Sequence, residues 1–282
     1  MTSPIHPTLP FFYIMLPTFN RPELVIRSVE SVISQSYLNY KLVIFNDGST
    51  KDYSKLELMI KNKERIHYIK SKNIGINRSR NIMLNSFLKE HQSDDNYFFT
   101  LSDDDYLIHE NALKMIADGI KRKKSIWYCF NCKSNSQDIF QNSDYLNYEK
   151  ITYSEFTKKY KGDKHFVFKL NSFKQIKYPE KYFKNGFEHL FYYKIPSKIQ
   201  TIPSTVKVIQ YYDDGLSISN RYDGKSHLEI MVKELKSAPF IFLFYKKLFL
   251  FLIKPKNIIK IIISDEKYYR IKKKIGLKSK KQ

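Results

Sequence analysis

The sequence predicts an α/β fold, with a mostly parallel central sheet flanked by helices and a basic, apolar helical extension at the C-terminal end. Three observations predict it. Between residues 11 and 132, short apolar runs alternate with segments of helical period, the pattern of βαβ units. The apolar run at residues 97–101 stops just before three consecutive carboxylates, Asp103, Asp104 and Asp105, and ligands of open α/β sheets gather at the carboxyl ends of strands. From residue 236 onward the composition changes: 14 Lys and Arg face only Asp265 and Glu266, which puts +12 of the net +21 in residues 236–282.

Taken in order, residues 11–16 read as the first strand. Pro22 then suits a first helical position, and Val25, Val29, Val32 and Ile33 give the helix one apolar face. Residues 41–45 are a second strand, followed by the turn Asn46-Asp47-Gly48-Ser49-Thr50 and a helix over about 52–62. A third strand at 66–69 leads through Asn73-Ile74-Gly75 into a helix over about 77–88. The fourth strand delivers the aspartates, and a helix over 111–121 follows. Residues 126–132 read as a strand, and so do 206–210. Parallel strands bring four loops to one edge of the sheet: Pro17-Thr18-Phe19-Asn20-Arg21, Asp47, Asn73 with Arg78 and Arg80, and the aspartates.

Composition narrows the class. At 282 residues and 42% hydrophobic, with 22 Tyr and 21 Phe, the chain suits a folded protein with one sizeable core and an appendage. Cys129 and Cys132 form an isolated C-x-x-C on a strand, where alternation sends the side chains to opposite faces, so neither a redox pair nor a zinc site is expected. The first residues carry Pro4, Pro7 and Pro10 without the basic flank and apolar core of a secretory signal, and a cytoplasmic location is expected. Nucleic acid is not an expected partner, because the excess charge sits in an apolar tail and three carboxylates repel phosphate.

Each loop alone has an ordinary explanation. Asn, Asp and Gly favour turns, helix arginines are commonly solvated, and an acidic triple can simply end a strand. Together they suggest chemistry. Adjacent carboxylates repel one another, and a divalent cation with oxygen ligands relieves that while holding substrate phosphates. A carboxylate past a strand accepts hydrogen bonds from a base or ribose, and arginines suit phosphates. Further on, Asn185-Gly186-Phe187-Glu188-His189 places an acid in the first turn of a helix, where it favours the dipole or acts as a base.

The order Leu16-Pro17-Thr18-Phe19-Asn20-Arg21, then Val43-Ile44-Phe45-Asn46-Asp47-Gly48-Ser49-Thr50, then Asn73-Ile74-Gly75 with Arg78 to Asn81, then Ser102-Asp103-Asp104-Asp105 resembles the inverting glycosyltransferases of family 2 with the GT-A fold. The resemblance covers roughly the first 120 residues. It implies a GT-A-like domain over 1–236, with a donor-binding half at about 11–131 and an acceptor-binding half at about 132–236. It further implies that Asp47 holds the base with Thr18 against it. Pro17, Asn20, Arg21 and Asn73 line the donor, and Arg78 or Arg80 touches the base or diphosphate. Asp103 takes the ribose, and Asp105 or Asp104 ligates Mn2+ or Mg2+, since the triple allows two registers. The family's Glu-Asp pair, whose acid is the base, is here Glu188-His189, so Glu188 is the expected base with His189 as substitute or acceptor contact. The expected reaction moves a sugar from a nucleoside diphosphate sugar, a UDP-sugar, to a hydroxyl of a surface-polysaccharide, lipooligosaccharide or lipid-linked glycan. A degenerate sugar-nucleotide binder or membrane scaffold is the alternative. A nucleotidyltransferase would want a glycine-rich loop after the first strand, and residues 18–22 hold no glycine.

Residues 237–282 form the tail. The apolar stretch from Phe240 to Ile253 is split by Lys246 and Lys247 and falls short of the ~20 residues that a spanning helix needs. It reads as an interfacial anchor on an anionic membrane surface, here the inner face of the cytoplasmic membrane. The competing readings are an apolar hairpin that docks on the catalytic domain or on a second copy of the chain, giving a homo-oligomer, and a solvated basic tail.

Overall fold

The computed structural model describes residues 9–90, 93–134, 145–180, 188–210, 228, 231–232, 235–236, 242–263 and 271. The chain divides into two compact units, one of Met1–Gly186 with Ile195–Asp213 and one of Phe187–Lys194 with Asp214–Gln282.

The first unit is built on one sheet. Its first four long strands are β1 (Phe11–Thr18), β2 (Tyr40–Asp47), β3 (Ile66–Ser71) and β4 (Asn96–Thr100), separated by α1 (Pro22–Ile33), α2 (Ser54–Ile60) and α3 (Ile76–Lys89). A two-residue strand β5 (Tyr106–Leu107) follows the aspartates, then α4 (Ala112–Arg122), β6 (Trp127–Ser134), β7 (Glu149–Ile151), α5 (Tyr153–Lys159), β8 (Lys164–Lys169) and β9 (Ile199–Ile209). The strand order is β3-β2-β1-β4-β8-β6-β9-β5, with β7 also on β9. From β3 to β4 the pairing is parallel, as βαβ connections require. Beyond β4 it is mixed: β8 runs antiparallel to β4 and β6, while β9 is parallel to β6.

These segments fold this way because their apolar residues face two covering layers. In β1, Phe12, Ile14, Met15 and Leu16 are all fully buried, a continuous run that suits a strand covered on both faces. Helix α1 starts at Pro22 and buries Val25, Ile26, Val29 and Val32 on one side. Helix α4 does the same with Leu113, Ile116, Ala117 and Ile120, positions at helical spacing. Each such side chain withdrawn from water contributes roughly 1.5–3 kcal/mol, and α1, α4 and the inner strands share one cluster.

The N-terminal half keeps the expected order, and its strands run longer than the apolar runs: β1 reaches Thr18 and β2 reaches Asp47, so polar site residues are themselves strand ends. The expected strand at 206–210 is the last part of β9, which is 11 residues long. Cys129 and Cys132 are free thiols on β6, where the pairing with β9 shifts register between Phe130, Asn131 and Cys132. Burial pushes the Cys132 thiol up to about 12.

His165 on β8 is wholly buried, its ring edge-on to Phe99 at 4.7 Å. Burial, assisted by the Lys207 charge, holds its pKa well below 6.5. The folded state therefore keeps a neutral imidazole while the unfolded chain takes up a proton below ~6.5, so stability is full above that pH and falls as pH drops toward the depressed folded value, by up to ~1.4 kcal/mol per unit. Melting curves from pH 7.5 to 5.5 should show this loss in the natural chain and a flatter profile in His165→Phe. Equal slopes would assign the acid sensitivity to other groups.

Candidate functional site

The carboxyl ends of β1, β2, β3 and β4 lie along one edge of the sheet, and the side chains there are tied to one another. Thr18, at the end of β1, donates from Oγ1 to Asp103 Oδ2 at 2.9 Å. Its oxygen also lies 2.9 Å from Tyr53 Oη, and since the threonine proton is committed to Asp103, the tyrosine donates. Tyr53 Oη accepts in turn from the Arg21 backbone N–H at 3.0 Å.

Asn20 has φ +56, the left-handed region, and its Oδ1 accepts from Thr50 N at 2.8 Å while its own N–H donates to Ser49 Oγ at 2.9 Å. The loop after β1 is thereby locked to the loop after β2. Asn46 Oδ1 closes that second turn by accepting from Ser49 N at 2.9 Å. Gly48 has φ +75, and a Cβ there would sit 2.2 Å from Asn73 N, so the turn needs glycine both for its conformation and for its approach to the next loop.

Asp47 is buried, and both carboxylate oxygens are engaged: Oδ1 accepts from Ile74 N at 2.7 Å and Oδ2 from Gly75 N at 2.9 Å. The residue expected to face a base thus first shapes the Asn73-Ile74-Gly75 loop, with its remaining lone pairs left for a ligand donor. Pro17 lies within β1, paired with Phe45.

The two helix arginines differ. Arg78 has a half-exposed side chain, 3.8 Å from Glu180. Arg80 is buried, with its guanidinium over the Tyr178 ring at 5.4 Å and its Nη1 donating to Asn77 Oδ1 at 3.3 Å. Asn81 pairs with the Tyr178 backbone in both directions, at 3.0 and 2.9 Å, and Asn77 donates to Pro179 O at 2.5 Å. This face of α3 therefore holds the 178–180 segment, and Arg80 is part of that grip.

The aspartates point in different directions. Asp104 Oδ2 accepts from Arg21 Nη1 at 2.7 Å, and the same nitrogen stands 3.6 Å from Asp103 Oδ1. Asp103 is pushed up to about 7, by burial first and then by the Asp104 charge, with Arg21 and Thr18 opposing. Asp105 is turned the other way. Its Oδ2 lies 2.7 Å from Lys207 Nζ on β9, and both side chains are less than 10% exposed. Burial opposes the Lys207 ammonium, but the charge and hydrogen bond of Asp105 together with the Cys132 and Asp163 charges outweigh it and the lysine pKa is raised. Burial raises the Asp105 carboxyl as well, against the pull of Lys207, and at 2.7 Å the two form a buried salt bridge.

Asp103 and Asp104 thus face Thr18 and Arg21, while Asp105 faces Lys207 on β9. The donor set fits a divalent cation. Two hard carboxylates share the single guanidinium of Arg21, and Mn2+ or Mg2+ commonly takes one or two protein carboxylates, with phosphates and water as the other ligands. Asp105, the other expected ligand, has its Oδ2 engaged by Lys207. Among the described residues no cluster of three or more His, Cys, Asp or Glu is arranged to hold a metal alone.

Tyr53 and Lys207 escaped the sequence reading. Tyr53 carries no motif. Lys207 did leave a signal, a lone lysine within the apolar run Val206 to Ile209.

Glu188 and His189 belong to the second unit, on the short helix α6 (Glu188–Tyr192), with Glu188 in its first turn. The preceding residues Asn185, Gly186 and Phe187 lie outside the described residues.

A mixed sheet of this order, with nucleotide-type loops and a carboxylate turn at one edge, is that of GT-A glycosyltransferases. The family model "Glycosyl transferase family 2" matches residues 13–183, and the chain belongs to that family. An uncharacterized glycosyltransferase of Rickettsia bellii is 34% identical over 102 residues, which is 36% of this chain and 14% of the relative's length. The chain thus matches only a small part of that relative. The structure of Staphylococcus aureus TarS 1-349 in complex with UDP-GlcNAc superposes with a TM-score of 0.67 at 18% identity, covering 81% of this chain and 67% of that one. The mannosyltransferase PcManGT from Pyrobaculum calidifontis, in complex with GDP-Man and Mn2+, gives a TM-score of 0.60 at 13% identity, covering 97% and 77%. At these identities the two solved structures share the fold.

Proposed function

We propose that this chain is a metal-dependent inverting glycosyltransferase that moves a sugar from a nucleoside diphosphate sugar, a UDP-sugar, to a hydroxyl of a surface-polysaccharide, lipooligosaccharide or lipid-linked glycan. The observation that carries the reading is the convergence of Asp103 and Asp104 with Thr18 and Arg21, beside the loop that Asp47 holds. Asp47 and the Asn73-to-Gly75 backbone receive the base, Asp103 the ribose, and Asp104, with Asp103, the cation. When bound, the cation offsets the charge that builds on the leaving diphosphate. Arg21 now offsets part of the charge of the two carboxylates; with a cation in place its guanidinium is available to diphosphate oxygens. The acceptor hydroxyl must lose a proton, and Glu188 is the base, with His189 as the substitute.

The test is the melting temperature of the full chain against UDP, GDP and their sugars, with and without Mn2+, because binding to the native state raises it by mass action. A rise with one nucleotide that requires the metal is expected. No rise with any of them would sink the donor site, and binding without turnover on any acceptor pool would favour a degenerate binder.

The second unit supports a location. Its helices α7 (Phe242–Leu252) and α8 (Pro255–Ile262) expose Phe249, Leu250, Leu252, Ile258, Ile259 and Ile262, and Ile253 between them is exposed too. Residues 242–263 contain five lysines and no acid. Among the described residues no helix is long and apolar enough to cross a membrane, and α7 at 1.5 Å per residue is about half of a ~30 Å hydrocarbon core. We therefore place these helices in the headgroup region of an anionic membrane, the cytoplasmic face, with lysines meeting phosphates. Deleting residues 237–282 should release the protein from vesicles containing phosphatidylglycerol. Undiminished flotation would locate the anchor elsewhere, and a change from dimer to monomer without any vesicle binding would make the helices a contact between copies.

A further inference from the structure

We propose that Lys207 is a positioning residue for the carboxylate turn: through Asp105 it fixes where Asp103 and Asp104 present their oxygens, while keeping Asp105 itself off the cation. The inference rests on the metal-dependent donor site proposed above.

The turn is held from two sides. On one side, α1 grips its backbone: Arg27 Nη2 donates to Asp104 O at 2.9 Å, Ser28 Oγ to Asp105 O at 2.6 Å, and Ser31 Oγ accepts from Leu107 N at 3.0 Å. On the other side stands β9, where β5 adds only two residue pairs, Tyr106 with Val208 and Leu107 with Lys207. The Lys207 ammonium reaches past that short ladder to Asp105 Oδ2 at 2.7 Å. The Asp105 N–H bonds back to Ser102 O at 3.2 Å, so the segment from Ser102 to Asp105 is one closed turn whose last side chain is anchored. Asp103 and Asp104, between the anchors, face Thr18 and Arg21.

An ion pair is an expensive way to join two strands. Removing two charges from water costs about as much as their attraction returns, and well-packed apolar residues commonly serve stability as well or better. What the pair supplies that an apolar contact would not is direction: a single geometry for Asp105, and a carboxylate whose charge is spent. The three adjacent aspartates are thereby divided into two that remain for a cation and one that holds the turn in place.

The experiment compares the full natural chain with Asp105→Asn and with the double variant Asp105→Asn, Lys207→Met, by thermal melting and by Mn2+ titration in the presence of UDP or GDP, read as free Mn2+ by electron paramagnetic resonance. In Asp105→Asn the amide oxygen still accepts from Lys207, so Mn2+ affinity should stay within about threefold of the natural chain. In the double variant no unpaired buried charge remains, so melting should recover, while Mn2+ affinity falls at least tenfold, a coupling of the size that contacting residues show. A purely structural pair would move melting and affinity together, and a double variant with natural Mn2+ affinity overturns the proposal. So does a tenfold loss in Asp105→Asn, which would make Asp105 a ligand. If the double variant does not fold, Asp105→Asn alone decides between those last alternatives. If the natural chain binds neither nucleotide with Mn2+, the donor-site reading itself fails, and the positioning role falls with it.

Discussion

Asp104→Asn should abolish the Mn2+-dependent part of nucleotide binding and lower sugar transfer by roughly 10²- to 10³-fold, the usual effect of removing one preorganised electrostatic group from a transition state. The substitution keeps the side-chain shape and removes its charge. In the structure that charge is matched by Arg21 at 2.7 Å, on a side chain 18% exposed. The variant should still fold, because the remaining amide can hydrogen-bond Arg21, and because Asp103, pushed up to about 7 by burial and by Asp104, is relieved of a like-charged neighbour. The melting temperature without ligand should therefore stay level or rise while the metal-dependent shift disappears. A variant that keeps full Mn2+ stimulation would remove Asp104 from the cation and leave Asp103 to hold it.

Glu188→Gln should do the opposite, sparing donor binding and collapsing transfer by ~10²- to 10⁴-fold, the range for loss of a general base. Glu188 opens α6, where a carboxylate is favoured by the helix dipole, so a purely structural role predicts only a small loss of stability and near-natural rates. Single-turnover assays with saturating donor separate the two. A fall in rate with unchanged nucleotide affinity supports the base. Near-natural rates would shift the role to His189 or to another group, and Glu188→Gln combined with His189→Ala would show which.

The family was legible because its residues are local. Thr18, Asn20 and Arg21 follow one apolar run, Asp47 and Gly48 another, and the aspartates a third, so strand ends and site loops are adjacent in sequence and their order is preserved in the fold. The helices were legible for the same reason: Val25, Val29 and Val32 repeat at helical spacing, and the structure buries them together. Element ends were less legible. β2 was read to stop at Phe45, but parallel neighbours on both sides, with pairs at Asn46 to Thr18 and Asp47 to Ser71, carry the strand two residues into its polar turn.

By itself the sequence determined that an α/β sheet exists, which loops meet at its carboxyl edge, and that a basic apolar segment follows. These depend on periodicity and on short-range order, which the chain carries in its own spacing. The tertiary structure decided which way each carboxylate points. Asp103, Asp104 and Asp105 are identical in chemistry and adjacent in sequence. They point in two directions because Arg21 and Thr18 approach from β1 and its loop, while Lys207, 102 residues away from Asp105, approaches from β9. No local pattern encodes that pairing, since the partner arrives through sheet order alone. The same holds for Asp47 on the Ile74 and Gly75 amides and for Arg80 over Tyr178: a side chain's neighbours are fixed by where distant strands and segments pack, and those neighbours set its charge and direction.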